Sequence, residues 1–90
     1  MKILIVEDEL LIAHASRMHL ESRGYEVIGL ATDGRSFAEF LKQDPDAILM
    51  DISLKHGENG ITLVNEIRNS GNMTPVIFTT GNSRSKTLEE

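Results

Sequence analysis

Ninety residues with a formal net charge of −5 leave room for one small domain and supply no basic stripe to hold a nucleic-acid backbone, so direct nucleic-acid binding is not expected. The chain has no Cys, which excludes a disulfide frame, thiolate chemistry and a Cys-based zinc site, and cytoplasmic residence is the expectation that fits. The apolar start is too short for a signal-peptide core, it runs straight into Glu7-Asp8-Glu9, and no apolar run approaches membrane-spanning length.

The first element is Ile3-Leu4-Ile5-Val6, a continuous apolar run of the kind that forms a parallel strand covered on both faces. A helix is predicted over 9–23, with Leu11, Ile12, Ala15 and Met18 on one face and Leu20 off it, and Gly24 provides its C-terminal cap. Val27-Ile28-Gly29-Leu30-Ala31 reads as a weaker strand. The second helix, near 35–43, carries Phe37, Phe40 and Leu41 at i, i+3, i+4, and Asp44-Pro45-Asp46 ends it. Ala47-Ile48-Leu49-Met50 is the third strand. The third helix, near 60–69, carries Ile61, Val64 and Ile67. Val76-Ile77-Phe78 is the fourth strand, and Ser83 is placed to cap a fourth helix containing Lys86, Leu88 and Glu89. Met18, Met50 and Met73 are read as core fillers. The alternation of strands and helices argues for an α/β fold with a parallel sheet and right-handed crossovers, as one domain over residues 1–90.

Glu7 and Asp8 follow the first strand directly, and Asp51 follows the third. In an open parallel sheet all strands point one way, so these carboxylates reach the same carboxyl edge, where such folds place their ligands. Carboxylates converging there repel unless a cation is present, and a hard divalent ion with oxygen ligands, Mg²⁺ above all, suits them. Thr80 follows the fourth strand and brings a hydroxyl to the same edge. The competing view is that Asp8 or Glu9 simply caps the first helix. Two acidic strand ends and a hydroxyl strand end on one edge favour the metal site. The loop Val6-Glu7-Asp8-Glu9 also repels an unescorted phosphate, which argues against a nucleotide or flavin-phosphate binder.

The whole chain resembles the receiver domain of bacterial two-component response regulators. The resemblance is carried by Ile3-Leu4-Ile5-Val6-Glu7-Asp8-Glu9, by Pro45-Asp46-Ala47-Ile48-Leu49-Met50-Asp51-Ile52, by Gly60-Ile61, and by Thr74-Pro75-Val76-Ile77-Phe78-Thr79-Thr80-Gly81. It implies a doubly wound, flavodoxin-like parallel sheet, with Asp51 as phosphoacceptor. It implies Mg²⁺ held by Glu7, Asp8, Asp51 and the backbone carbonyl of Ser53. Thr80 becomes the switch hydroxyl, preferred to Thr79 because the small Gly81 follows it. Ser53 and Asn82 take the positions that tune phosphoryl lifetime. The implied partners are a histidine kinase or phosphotransfer protein and an output partner of unknown identity, with no membrane. The implied role is a switch rather than an enzyme with turnover.

The chain departs from the family pattern in two places. The loop Ser53-Leu54-Lys55-His56-Gly57-Glu58-Asn59-Gly60 has no proline and carries two glycines, so a loose loop is expected, with Lys55 and His56 solvated. The chain also reaches Glu90 before the fifth strand, its lysine and the fifth helix, so the expected strand order is 2-1-3-4. The fourth strand is then exposed along its edge, and three expectations follow in order: the sequence is a fragment of a longer receiver, another chain covers the strand in a homodimer or strand-swapped dimer, or the receiver is naturally short. Without that lysine, a pseudo-receiver that binds a partner without switching on phosphorylation is the alternative function. A small aspartate-based hydrolase is disfavoured, because Ser53 stands where that class carries a second Asp. His14, His19 and His56 are scattered and need no catalytic role.

Overall fold

The computed structural model of the chain describes residues 1–54 and 57–79. Expectations that fall on Lys55, His56, Thr80, Gly81, Asn82 and the helix from Ser83 lie outside the described residues. In chain order the elements are β1 (Lys2–Val6), α1 (Leu10–Ser22), β2 (Glu26–Ala31), α2 (Gly34–Leu41), β3 (Ala47–Asp51), α3 (Gly60–Asn69) and β4 (Val76–Thr79). The strands form one parallel sheet in the order β2-β1-β3-β4, as expected from the sequence.

The continuous apolar runs have a direct structural cause. Successive strand residues point to opposite faces, and here both faces are covered. Leu4, Val6, Ile48 and Met50 point to the side of α2 and α3, where they pack with Phe37, Val64 and Leu54, joined by Phe40, Leu41, Leu63 and Ile67. Ile3, Ile5 and Ala47 point to the other side, where Leu20 of α1 packs with Leu30 and Leu49. Leu4, Ile48 and Met50 are fully buried, and each such side chain contributes about 1.5–3 kcal/mol by leaving water. On β4, one of the two edge strands among the described residues, Ile77 and Phe78 are exposed.

The face of α1 differs from the expected one. Leu11 and Met18 are exposed at 87% and 69%, whereas Ala13 is fully buried and Leu20 packs against the strands. The helix has apolar residues on several sides, so periodicity alone selects the wrong stripe. The small Ala13 is the one residue of α1 that is completely buried. Met73 is likewise exposed, and Met50 is the one of the three methionines read as core fillers that fills the core. In α3, Val64 and Ile67 face inward as expected, but Leu63 packs with them and Ile61 is exposed. Gly24 does close α1: with φ at +90°, its N–H donates to Glu21 O at 3.0 Å and Tyr25 N–H donates to Leu20 O at 3.2 Å. This pair of bonds satisfies two terminal carbonyls and needs a left-handed residue, which glycine supplies at least cost.

Candidate metal and phosphoryl site

β1 and β3 are neighbours, so their carboxyl ends lie side by side. Val6 pairs with Met50, and the next residues along each strand are Glu7 and Asp51. Glu7 is held in place by its backbone N–H, which donates to Ala31 O at 2.9 Å. Asp51 is the last residue of β3 and sits in register with Thr79 on β4. Both acids are buried, at 4% and 1% exposure, and Asp8 is partly buried beside them. Carboxylate oxygens of Glu7, Asp8 and Asp51 all lie within 4.8 Å of one another. The structure therefore brings together the three acids singled out in the sequence.

The capping view of the acidic run does not hold for Glu9. It occupies the N-cap position of α1, but its side chain makes no capping bond. Glu7 instead turns back locally, with one carboxylate oxygen accepting from Glu9 N–H at 3.1 Å. Asp8 Oδ1 is buried without a hydrogen-bond partner. A buried carboxylate oxygen without a donor is costly, and a cation is the natural complement. The donor set is all oxygen and geometrically close, so it fits a hard divalent ion of the Mg²⁺ kind and excludes a soft metal.

The loop after β3 completes the site. Ser53 N–H donates to Asp51 Oδ1 at 3.3 Å, which orients the carboxylate. The described limbs of this loop, on either side of Lys55 and His56, are laced together. Leu54 N–H donates to Glu58 O at 3.1 Å, Gly60 N–H donates to Ile52 O at 2.6 Å, and Ser53 and Asn59 form an antiparallel bridge. The glycines serve this closure: Gly57 takes φ of +77°, and a Cβ on Gly60 would collide with the Asp51 carbonyl oxygen. Asn59 then starts α3, its side chain accepting from Ile61 N–H at 2.8 Å and Thr62 N–H at 3.4 Å. Thr79 is partly buried at the end of β4, and Thr80, the expected switch hydroxyl, lies outside the described residues. Among the described residues, no helix is long and apolar enough to cross a membrane.

All three acids were legible in the sequence but Glu58 was not, and its side chain ties the loop to α2 by accepting from Gly34 N–H at 2.9 Å. That contact spans 24 positions, and no local pattern signals it.

Comparison with known proteins agrees with this geometry. A family model described as the response regulator receiver domain matches residues 3–90. The aerobic respiration control protein ArcA of Escherichia coli K12 is 40% identical over 80 residues, covering 88% of this chain and 32% of that protein. The crystal structure of the response regulator PhyR from Brucella abortus is similar at a TM-score of 0.78 and 40% identity, covering 86% of this chain and 32% of that one. The signal receiver domain of a modulated diguanylate cyclase from Desulfovibrio desulfuricans G20 is similar at a TM-score of 0.77 and 32% identity, covering 98% of this chain and 70% of that one. The chain spans 32–37% of the length of the first curated relatives it matches.

Proposed function

We propose, from the premise that this chain belongs to the response regulator receiver family, that it is a phosphoacceptor switch in which Asp51 takes a phosphoryl group from a histidine kinase or phosphotransfer protein. The observation that carries this reading is the convergence of Glu7, Asp8 and Asp51 within 4.8 Å, two of them buried, at the carboxyl edge of the sheet. Glu7, Asp8, Asp51 and the Ser53 backbone carbonyl are the groups that hold Mg²⁺ in this reading. When bound, Mg²⁺ neutralises charge on the transferred phosphoryl group.

The chain's own residues do the rest. An Asp51 carboxylate oxygen attacks phosphorus in line with the phosphohistidine P–N bond; the new O–P bond forms as the P–N bond breaks, and the imidazole keeps the electron pair and takes a proton from water. The Ser53 N–H fixes the attacking carboxylate in orientation. Burial of Asp51 restricts water around the acyl phosphate once formed. The product adds about −1.5 to −2 charges and strong acceptor oxygens at the sheet edge. Thr80 turns its hydroxyl toward them, and the equilibrium between two surface shapes shifts for an output partner to read.

The test is incubation with Mg²⁺ and a small-molecule phosphodonor, followed by intact mass. The expected result is a gain of one phosphoryl group that needs Mg²⁺ and is abolished by Asp51→Ala. Mg²⁺ binding without any mass gain would refute the phosphoacceptor reading in favour of a pseudo-receiver that only binds partners.

A further inference from the structure

Glu58 has no part in the chemistry proposed above, yet it makes a specific long-range bond. Its Oε1 accepts from the N–H of Gly34 at 2.9 Å. Gly34 is the first residue of α2, so this N–H is one of the donors that a helix start leaves without an intrahelical acceptor. The helix has its own cap as well, since Asp33 accepts from Ser36 N–H at 2.9 Å. Glu58 takes a different N–H, and its charge suits the positive end of the helix.

The other side of Glu58 leads to the site. Its backbone carbonyl accepts from Leu54 N–H at 3.1 Å, and its neighbour Asn59 bridges to Ser53. Ser53 N–H in turn reaches Asp51 Oδ1 at 3.3 Å. Three hydrogen bonds, joined by the Glu58 side chain and the Ser53–Leu54 peptide, therefore link the start of α2 through the laced loop to the buried carboxylate of Asp51.

We infer that Glu58 is a positioning residue for the metal site, its carboxylate pinning the β3–α3 loop to α2 and so setting where Ser53 stands beside Asp51. This rests on the Mg²⁺ reading of the three carboxylates. Coupling through such a series is reciprocal: what Glu58 adds to metal binding, the bound metal adds to the Glu58–Gly34 contact.

Calorimetric titration of Mg²⁺ into the parent chain and three variants tests this, with hydrogen exchange at the Gly34 amide as the second readout. Glu58→Ala removes the acceptor and is expected to weaken Mg²⁺ binding by about fivefold to tenfold while the Gly34 amide exchanges faster. Gly34→Pro removes the donor at the helix position that accepts proline best and also brings a Cβ to 2.9 Å from Glu58 Oε2, which pushes that carboxylate aside, so it is expected to weaken binding at least as much. Glu58→Gln keeps an acceptor oxygen without the charge, and binding is expected to stay within about twofold of the parent. Mg²⁺ is also expected to slow exchange of the Gly34 amide in the parent but not in Glu58→Ala. Two separate donor and acceptor variants keep the test decisive if one of them fails to fold. Parent-like affinity in both Glu58→Ala and Gly34→Pro overturns the inference, as does a loss in Glu58→Gln equal to that in Glu58→Ala. A parent chain that binds no Mg²⁺ overturns the proposed function and this inference with it; normal parental binding with unaffected variants overturns this inference alone.

Discussion

Replacing Asp51 by Asn should make the metal-free protein more stable. Carboxylate oxygens of Glu7, Asp8 and Asp51 lie within 4.8 Å of one another. Two unit charges at that separation repel by about 3.5 kcal/mol at an effective dielectric of about 20. Asp51 faces two such neighbours, but Asp8 is only partly buried and water screens it, so the net relief on neutralising Asp51 is about 1–2 kcal/mol. Asn keeps an oxygen to accept the Ser53 N–H, so that bond is retained. A domain of this size shifts its melting midpoint by about 4–8 °C per kcal/mol. Thermal unfolding followed by circular dichroism in EDTA should therefore place Asp51→Asn about 4 °C or more above the parent. Mg²⁺ at ten times its dissociation constant adds about 1.4 kcal/mol to the parent. The variant gains less, and the gap narrows. A variant that melts at or below the parent in EDTA, or a gap that Mg²⁺ leaves unchanged, would refute the argument that the three acids form one electrostatically strained site.

Three further substitutions test the surroundings of that site. Gly60→Ala drives a Cβ into the Asp51 carbonyl and to 2.7 Å from Met50 Cγ, so urea denaturation should show a loss of about 1–3 kcal/mol, together with weaker Mg²⁺ binding. Asn59→Ala removes the acceptor for two N–H groups at the start of α3 and should cost about 1 kcal/mol in the same assay. Leu11→Lys should leave stability within about 0.5 kcal/mol of the parent, because that side chain is 87% exposed; a larger loss would mean that α1 buries the face its periodicity first suggested.

The strands were readable because their signal is local and strong. A parallel strand covered on both faces must be apolar at every position, and Ile3–Val6 and Ala47–Met50 are. The start of α3 at Gly60 and its end at Asn69 match the expected range, since Asn59 and Gly71 carry cap chemistry in their residue types. The orientation of α1 was not readable in the same way. Leu10, Leu11, Ile12 and Ala13 are all apolar and adjacent, so four different faces of the helix are available to pack. The structure buries Ala13 and leaves Leu11 exposed, a choice set by tertiary packing rather than by local pattern.

The candidate site divides along the same line. Glu7, Asp8 and Asp51 could be brought together on paper because strand direction and strand adjacency fix where strand ends lie, and side-chain detail hardly enters. The loop between β3 and α3 offers no such rule. Its glycines read as looseness, and what they contribute in the structure is not visible from residue type: Gly57 takes a left-handed backbone angle and Gly60 lacks the Cβ that would meet the Asp51 carbonyl. Glu58 reads as one more solvated acid until α2 is in place to offer the Gly34 N–H. A carboxylate at a strand end has its place set by the sheet, whereas a carboxylate in a loop acquires one from whatever packs against it. The acids of the candidate site are of the first kind and the residue proposed to position them is of the second, so the hydrogen bonds that tie α2 to the loop beside Asp51 become visible only in three dimensions.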